Sequence, residues 1–173
     1  MIKKVVDTNV PKNANRAINP LSIPNEELNC VEACVLAIES IVNNGGLVLD
    51  SGDEIFDEYR VNLSLSGIPG QGDRFMKWVH DNRWTASQVE LVEITKVNNS
   101  YEEFPNHAGL EDFDISDRKF IAVANAHPDR PPILEATDSK WWGWRAALEE
   151  VGITVEFLCD DWIKQKHAKK MGE

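Results

Sequence analysis

Residues 2–9 read IKKVVDTN, an apolar run that two lysines interrupt and that ends in an acid and an amide. The run predicts a short buried strand over residues 2–6, with Asp7 and Asn9 directly after it. A strand that ends in this way places both side chains at the rim of a sheet, where open α/β folds bind their ligands. We therefore expect Asp7 and Asn9 to lie in a functional site.

The composition predicts one globular domain. The chain has 173 residues, of which 42% are hydrophobic and 27% charged, and this length supports one core of ordinary size. No apolar run approaches the roughly 18 residues that a membrane span needs, and we expect no signal peptide before the first strand. Cys30 and Cys34 are one helical turn apart, and three cysteines cannot all pair. We therefore predict buried thiols and a cytoplasmic location, with no membrane partner.

The net charge of −11 restricts the kinds of partner. Non-specific nucleic-acid binding usually depends on a basic face, so the acidity argues against a generic phosphate-binding surface. It does not exclude a nuclease, because clustered carboxylates can hold a metal ion that supplies the positive charge. It also leaves room for a basic partner.

The rest of the chain alternates predicted helices and strands. Helices are predicted over 25–44, from Ser51 with Glu54 as its capping-box partner, over 73–80, from a start at Asp114–Asp117 to about 127, and over 139–150. Strands are predicted over 47–49, 89–94, 133–136 and 153–158. Residues 11–24 and 98–109 are predicted to be loops. This order predicts a mostly parallel sheet with helices on both faces.

In the first long helix, the apolar residues recur at helical spacing and are predicted to form one buried face: Leu28, Val31, Val35, Ile38 and Val42. Glycines follow it directly and end it. At the other end of the chain, residues 161–173 are rich in lysine and are predicted to form a frayed basic tail.

Four acids from four separate elements can meet at one edge of this sheet. Asp7 and Asp138 each follow an apolar strand, and all carboxyl ends of parallel strands lie on the same edge. Asp117 opens a helix and Glu58 lies inside one, and both helices must pack on the sheet. Four carboxylates suit Mg²⁺ or Mn²⁺, which are hard cations that prefer oxygen ligands.

Five segments, in this order, carry a resemblance to a known family: VVDTNV (5–10), LVLDSGDEIFDEYRVNL (47–63), FDISDRKFIAVANA (113–126), ILEATDSKW (133–141) and ITVEFL (153–158). The chain resembles the PIN-domain ribonucleases, and in particular the toxins of toxin–antitoxin pairs. The resemblance implies a three-layer α/β/α sandwich with a mostly parallel central sheet. It implies one nuclease domain over residues 1–160, with a family-variable insertion over 66–109.

The resemblance also implies a site and a reaction. Asp7, Glu58, Asp117 and Asp138 correspond to the catalytic, metal-binding acids, and Asn9 to a supporting polar group. The implied activity is Mg²⁺- or Mn²⁺-dependent hydrolysis of RNA phosphodiesters by a metal-activated water, on single-stranded or structured RNA. The implied partners are an antitoxin or other protein that masks the site, and a second copy in a homodimer.

The sequence departs from the family pattern at two places, since it is longer between residues 66 and 109 and carries WWGW at 141–144. We predict that these tryptophans pack in the core rather than stack on RNA bases. Lys119, Lys140 and Arg145 are close enough in sequence to the acids to hold phosphates, although solvation is the default for surface cations.

Some assignments have rivals. Asp114 lies in the first turn of a predicted helix, where an acid is typically a cap and here has at most a supporting role. Glu32 and Glu39, near the edge of the earlier helix's apolar face, compete with Glu58 for the place of the helix acid. The GIPGQG stretch at 67–72 lacks the Lys-Ser/Thr of a phosphate-binding loop, and the histidines have no metal-ligand spacing.

Three functions remain. The leading interpretation is a metal-dependent endoribonuclease. The alternative is a non-catalytic PIN-like binding or regulatory module. A phosphatase or receiver domain that uses Asp7 as a phosphoryl acceptor ranks third, because Asn9 stands where such a phosphatase would carry a second acid.

Overall fold

The computed structural model describes residues 1–66 and 68–172. Gly67, the first residue of the predicted 67–72 turn, and Glu173, the last residue of the predicted tail, lie outside the described residues. The strands are β1 Val5–Val6, β2 Leu47–Asp50, β3 Val89–Val92, β4 Lys96–Val97, β5 Ser100–Tyr101, β6 Ile133–Glu135 and β7 Val155–Phe157. The helices are α1 Asn9–Asn15, α2 Leu28–Asn44, α3 Glu54–Asn62, α4 Gln71–Asn82, α5 Arg118–Ala126, α6 Ser139–Glu150 and α7 Asp160–Lys170.

The main strands are parallel, which confirms the prediction of an α/β fold with a parallel sheet. β6 lies between β1 and β7, and β2 pairs with β3. A parallel bridge between Lys4 and Leu47 joins the two sheets edge to edge, so the strand order is β3-β2-β1-β6-β7. The order reverses between β1 and β6, and such a switch point is where open parallel sheets bind ligands.

The core is continuous around this sheet. Strands β1 and β2 are buried along their whole length, as expected for parallel strands that helices cover. Helix α5 packs on β1, β2 and β6, and α1 packs on α2 and α4. Phe75, Met76 and Val79 of α4 are fully buried. The segment predicted to be an insertion therefore supplies part of the core.

The prediction of a loop over 11–24 is wrong for its first part, because α1 begins at Asn9. Pro11 is the third residue of this helix, where its missing N–H has no intrahelical acceptor to lose. A side chain on Gly72 would have its Cβ only 1.9 Å from the Pro11 carbonyl oxygen. Glycine at position 72 thus permits the close packing of α4 on α1.

The starts and faces of two other helices differ from prediction. Helix α3 begins at Glu54, and Ser51 does not cap it, because the carboxylate of Asp50 accepts the N–H groups of Glu54 (2.8 Å) and Ile55 (2.9 Å). The buried face of α2 is rotated from the predicted one. Leu28 is exposed, and the buried side chains are Cys30, Val31, Cys34, Ile38 and Ile41.

The predicted state of the cysteines is wrong for two of the three. Cys30, in the first turn of α2, forms a disulfide with Cys159, directly before α7. Cys34 is a buried free thiol, and burial raises its pKa to about 12. The cytoplasmic location was predicted from free thiols, and Cys30 and Cys159 are not free. It stays a prediction, without their support.

The end of the chain is ordered rather than frayed as far as Lys170. Helix α7 packs on α6 and buries Ile163 completely. Its first turn carries Asp160 and Asp161 and its last turn is basic, an arrangement that favours both helix ends. Among the described residues, no helix combines the length and the apolar character needed to cross a membrane.

Candidate metal centre

Asp7, Asn9 and Glu135 form the centre of the site, at the carboxyl ends of β1 and β6. The side-chain amide of Asn9 donates to Asp7 Oδ2 (3.1 Å) and to Glu135 Oε1 (2.7 Å). Its own oxygen accepts the N–H of Ala136 (2.9 Å) and of Thr137 (3.3 Å), which fixes the orientation of the amide. Asn9 thus holds two buried carboxyl groups against each other.

Glu58 reaches the site from α3. Tyr59, the next residue, is buried, and its hydroxyl donates to the Val6 carbonyl oxygen (2.5 Å); this bond fixes α3 against β1. On the other side of the helix, Glu58 accepts a hydrogen bond from the Thr8 hydroxyl and forms an ion pair with Lys119 (2.8 Å). The Lys119 ammonium also donates to the Ser116 carbonyl oxygen.

Asp114, Asp117 and Asp138 form the outer part of the site. One carboxylate oxygen of each lies within 4.8 Å of the other two. Asp138 Oδ1 accepts the N–H of Lys140 (3.0 Å), as the cap of α6. Asp114, predicted to be a cap, has no side-chain cap bond and pairs instead with the Lys140 ammonium (3.0 Å).

Burial and the neighbouring negative charges raise the pKa values of three of these acids. Burial, with the charge of Glu135 next, raises the pKa of Asp7 well above its usual range, and burial raises that of Glu135 to about 7. Because these two carboxyls are in contact, the shifts belong to the pair, which holds a proton more tightly than an isolated acid does. Burial, followed by the charge of Asp7, raises the pKa of Asp117 to about 7, and Asp138 and Glu58 add to it.

We call the six acids at this edge the acid cluster: Asp7, Glu58, Asp114, Asp117, Glu135 and Asp138. Only two ammonium groups, those of Lys119 and Lys140, pair with them among the described residues. An all-carboxylate donor set suits Mg²⁺ or Mn²⁺. The buried Glu135 Oε2, without a hydrogen-bond partner in the described part of the chain, is an unfilled position of the kind that a cation occupies. The residues therefore fit a hard divalent cation.

Five of the six acids in the cluster were predicted from the sequence, namely Asp7, Glu58, Asp114, Asp117 and Asp138. The sixth, Glu135, was not. Its signal is a carboxylate inside the short apolar strand ILEA at 133–136. Lone acids are almost never fully buried without a partner. An acid within a buried strand therefore indicates that a charged or hydrogen-bonding partner lies nearby. The rivals Glu32 and Glu39 lie on the exposed surface of α2 and do not reach the site.

The prediction that the tryptophans of residues 141–144 pack in the core is confirmed for Trp141. Trp141 is fully buried against Phe113, with ring centroids 5.2 Å apart, and its indole N–H donates to Asp117 Oδ2 (3.3 Å). The contact orients Asp117. Arg145, for which the sequence favoured solvation over phosphate binding, places its guanidinium over the ring of Trp142, 4.2 Å from the centroid.

A polar groove runs beside the cluster. It has a volume of about 290 Å³ and is lined by Lys119, by Ser116 and by the β4–β5 hairpin, including Asn98, Asn99 and Tyr101. Burial raises the pKa of Tyr101 to about 12, and the charges of Glu54, Asp50 and Glu58 add to the shift. The groove meets the acid cluster at Lys119, which pairs with Glu58.

Comparison of the chain with protein-family models, with curated proteins and with solved structures gives no match. Its function must therefore be inferred from the acid cluster and the surfaces around it.

Proposed function

We propose that the chain is a metal-dependent endoribonuclease of the PIN type, with the three-layer α/β/α arrangement that this class implies. One observation carries the proposal. Six carboxylates from five separate segments lie at the edge of the sheet where the strand order reverses, and three of them, Asp114, Asp117 and Asp138, have oxygens within 4.8 Å of one another. Only two ammonium groups pair with the six among the described residues. Mutual repulsion makes this arrangement costly without a cation.

Asp7, Asp117 and Asp138 would hold a Mg²⁺ or Mn²⁺ ion, and Glu58 would complete the set. When bound, such an ion supplies the Lewis acidity that activates a water and stabilises the charge on a leaving oxygen of a phosphodiester. The chain itself contributes orientation. Asn9 fixes Asp7, Trp141 fixes Asp117, and the cap bond to Lys140 N fixes Asp138.

Lys119 and Lys140 supply positive charge at the rim of the cluster. Each ammonium lies against an acid, Glu58 or Asp114, and each is placed to contact a phosphate that approaches these acids. The hairpin groove leads away from Lys119 and offers two asparagine amides and the ring of Tyr101. Amides and aromatic rings are the groups with which proteins bind unstacked RNA bases. These features favour single-stranded RNA as the substrate.

Two further parts of the proposal concern partners. Val61, Leu65 and Ile68, at the end of α3 and after it, expose apolar side chains, and such a surface next to Glu58 supports a protein that masks the site, such as an antitoxin. A homodimer is proposed on the resemblance to PIN toxins alone.

The test is cleavage of a mixed single-stranded RNA pool with Mn²⁺ and with EDTA, by the wild type and by Asp7→Asn/Asp117→Asn. We expect cleavage that EDTA abolishes and that the double variant reduces at least about 100-fold, since it removes two ligands. Its fold should survive, and without metal it should melt no lower than the wild type, because two repelling charges are gone.

The matched control is Glu32→Gln/Glu39→Gln, which removes the same charge from the exposed surface of α2 and should cleave like the wild type. Equal loss in the control would show that net charge, rather than the cluster, matters. If Mn²⁺ raises the melting temperature of the wild type and no RNA is cut, the chain is a binding module and the nuclease proposal fails.

A further inference from the structure

We propose that Glu135 is a direct ligand of the cation in the acid cluster, through its Oε2 atom. The inference rests on the proposed metal centre and extends it to a buried acid outside the set of four that the resemblance implies. The partners of its two oxygens, and the charges around it, carry the inference.

The two oxygens of Glu135 have different surroundings. Oε1 accepts hydrogen bonds from Asn9 Nδ2 (2.7 Å) and from the N–H of Asp138 (2.9 Å). Oε2 has no hydrogen-bond partner among the described residues, although the side chain is 0% exposed. A buried carboxylate oxygen is normally satisfied, and leaving one unsatisfied costs free energy. A ligand that fills this position must be small and electron-poor.

The charge around Glu135 points to a cation. The same amide nitrogen of Asn9 donates to Glu135 Oε1 (2.7 Å) and to Asp7 Oδ2 (3.1 Å). The two carboxyl groups are therefore close neighbours, and their like charges repel unless a positive group lies between them. The nearest ammonium groups pair elsewhere, Lys119 with Glu58 and Lys140 with Asp114. Asn9 provides one amide for both acids, but it carries no charge. A divalent cation bound to both carboxyls would neutralise the pair.

A shared proton is the competing occupant. A proton can join one oxygen of Asp7 to one of Glu135, but it neutralises only one of the two charges. A divalent cation neutralises both charges and also fills the position at Oε2, and the two occupants predict different outcomes.

The first test is calorimetric titration of Mn²⁺ into the wild type, Glu135→Gln and the control Glu39→Gln, at one fixed pH. Glutamine keeps the shape of the side chain and its amide can donate to Asp7. We expect Glu135→Gln to bind Mn²⁺ at least about tenfold more weakly, and the control to bind like the wild type. Equal affinity of Glu135→Gln and the wild type would overturn the proposal for Glu135 and leave the nuclease proposal intact. No binding by the wild type would overturn both.

The second test needs no variant to fold. In crystals of the wild type grown with Mn²⁺, the anomalous density should place the ion at coordination distance, about 2 Å, from Glu135 Oε2. An ion bound by Asp7 and Asp117 but separated from Glu135 by a water would make Glu135 a positioning residue and overturn the assignment as a ligand.

Discussion

Asp50 and Glu135 occupy equivalent places in two parts of the sheet and have opposite surroundings. Each is the last residue of a parallel strand, β2 or β6, and each is almost fully buried, with 1% and 0% of its surface exposed. Both oxygens of Asp50 accept backbone N–H groups from the start of α3. One oxygen of Glu135 accepts two donors and the other none. Asp50 is satisfied by its own chain, whereas Glu135 is not.

The difference arises from the next helix. The chain after β2 turns so that the first free N–H groups of α3 meet Asp50, which replaces a side-chain cap. The chain after β6 provides α6 with its own cap, Asp138, and this leaves Glu135 free of that role. Burial raises the pKa of both acids, and hydrogen-bond donors counteract the shift at each: two backbone N–H groups at Asp50, and the Asn9 amide and the Asp138 N–H at Glu135. The unpartnered Oε2 of Glu135, rather than burial, therefore distinguishes this acid from Asp50.

The largest effect is expected at Asp50. Replacing it with Ala removes two charge-assisted hydrogen bonds and leaves two helix N–H groups without acceptors, which should lower the free energy of unfolding by roughly 2–3 kcal/mol. Urea unfolding measures the change. Asp57→Ala, at an exposed acid of the same helix, should change stability by less than about 0.5 kcal/mol. Equal effects would mean that Asp50 is not the cap described above.

The stability of the metal-free protein should fall as pH rises. The pKa values of Asp117 and Glu135 are raised from 3.8 and 4.5 to about 7, so between about pH 4 and pH 7 the folded chain binds more protons than the unfolded chain does. Stability is then greatest at the acid end of this window and is lost as pH rises towards 7. We expect a total loss of about 2 kcal/mol, since partial exposure of Asp117 reduces its share.

Thermal unfolding in EDTA at several pH values measures this slope, and Asp117→Asn should make it shallower. A stability that rises steadily from pH 4 to pH 7 would contradict the raised pKa values of Asp117 and Glu135.

The smallest effect is expected from Glu135→Gln in EDTA at pH 8. The change removes a buried charge from contact with Asp7 and supplies an amide donor, so the free energy of unfolding should rise by about 1 kcal/mol. The control Glu39→Gln should leave it unchanged. Denaturant midpoints of the three proteins give the comparison. If Glu135→Gln lowered the free energy of unfolding as much as Asp50→Ala, both acids would serve to stabilise the fold.

The parts of the site that could be predicted are those that short-range patterns encode. Asp7 and Asp138 follow apolar runs, and a parallel sheet brings the ends of such runs to one edge. Glu58 and Asp117 needed the resemblance as well, since an acid on a helix is usually solvated. Glu135 was missed because the sequence of a strand does not show which hydrogen-bond donors will surround an acid within it.

Errors in the fold have similar causes. Pro11 and the asparagines around it have low helix propensity, and packing against α2 and α4 overrides this in α1. The rotated face of α2 could not be read from its own spacing, because α2 is covered by α1 and α4 and is joined through Cys30 to Cys159, 129 residues away. Long-range pairing of this kind leaves no local pattern.

The disulfide also divides the chain into a closed ring and two open ends. Residues 30–159 form the ring, whereas β1 and α1 belong to the open N-terminal end and α7 to the other. A single peptide-bond cut inside the ring leaves both pieces covalently joined until Cys30 and Cys159 are reduced. Asp7 stands outside the ring, and the other five acids of the cluster lie within it. One cut between Asn9 and Cys30 is therefore enough to let Asp7 leave the molecule that carries the rest of the site.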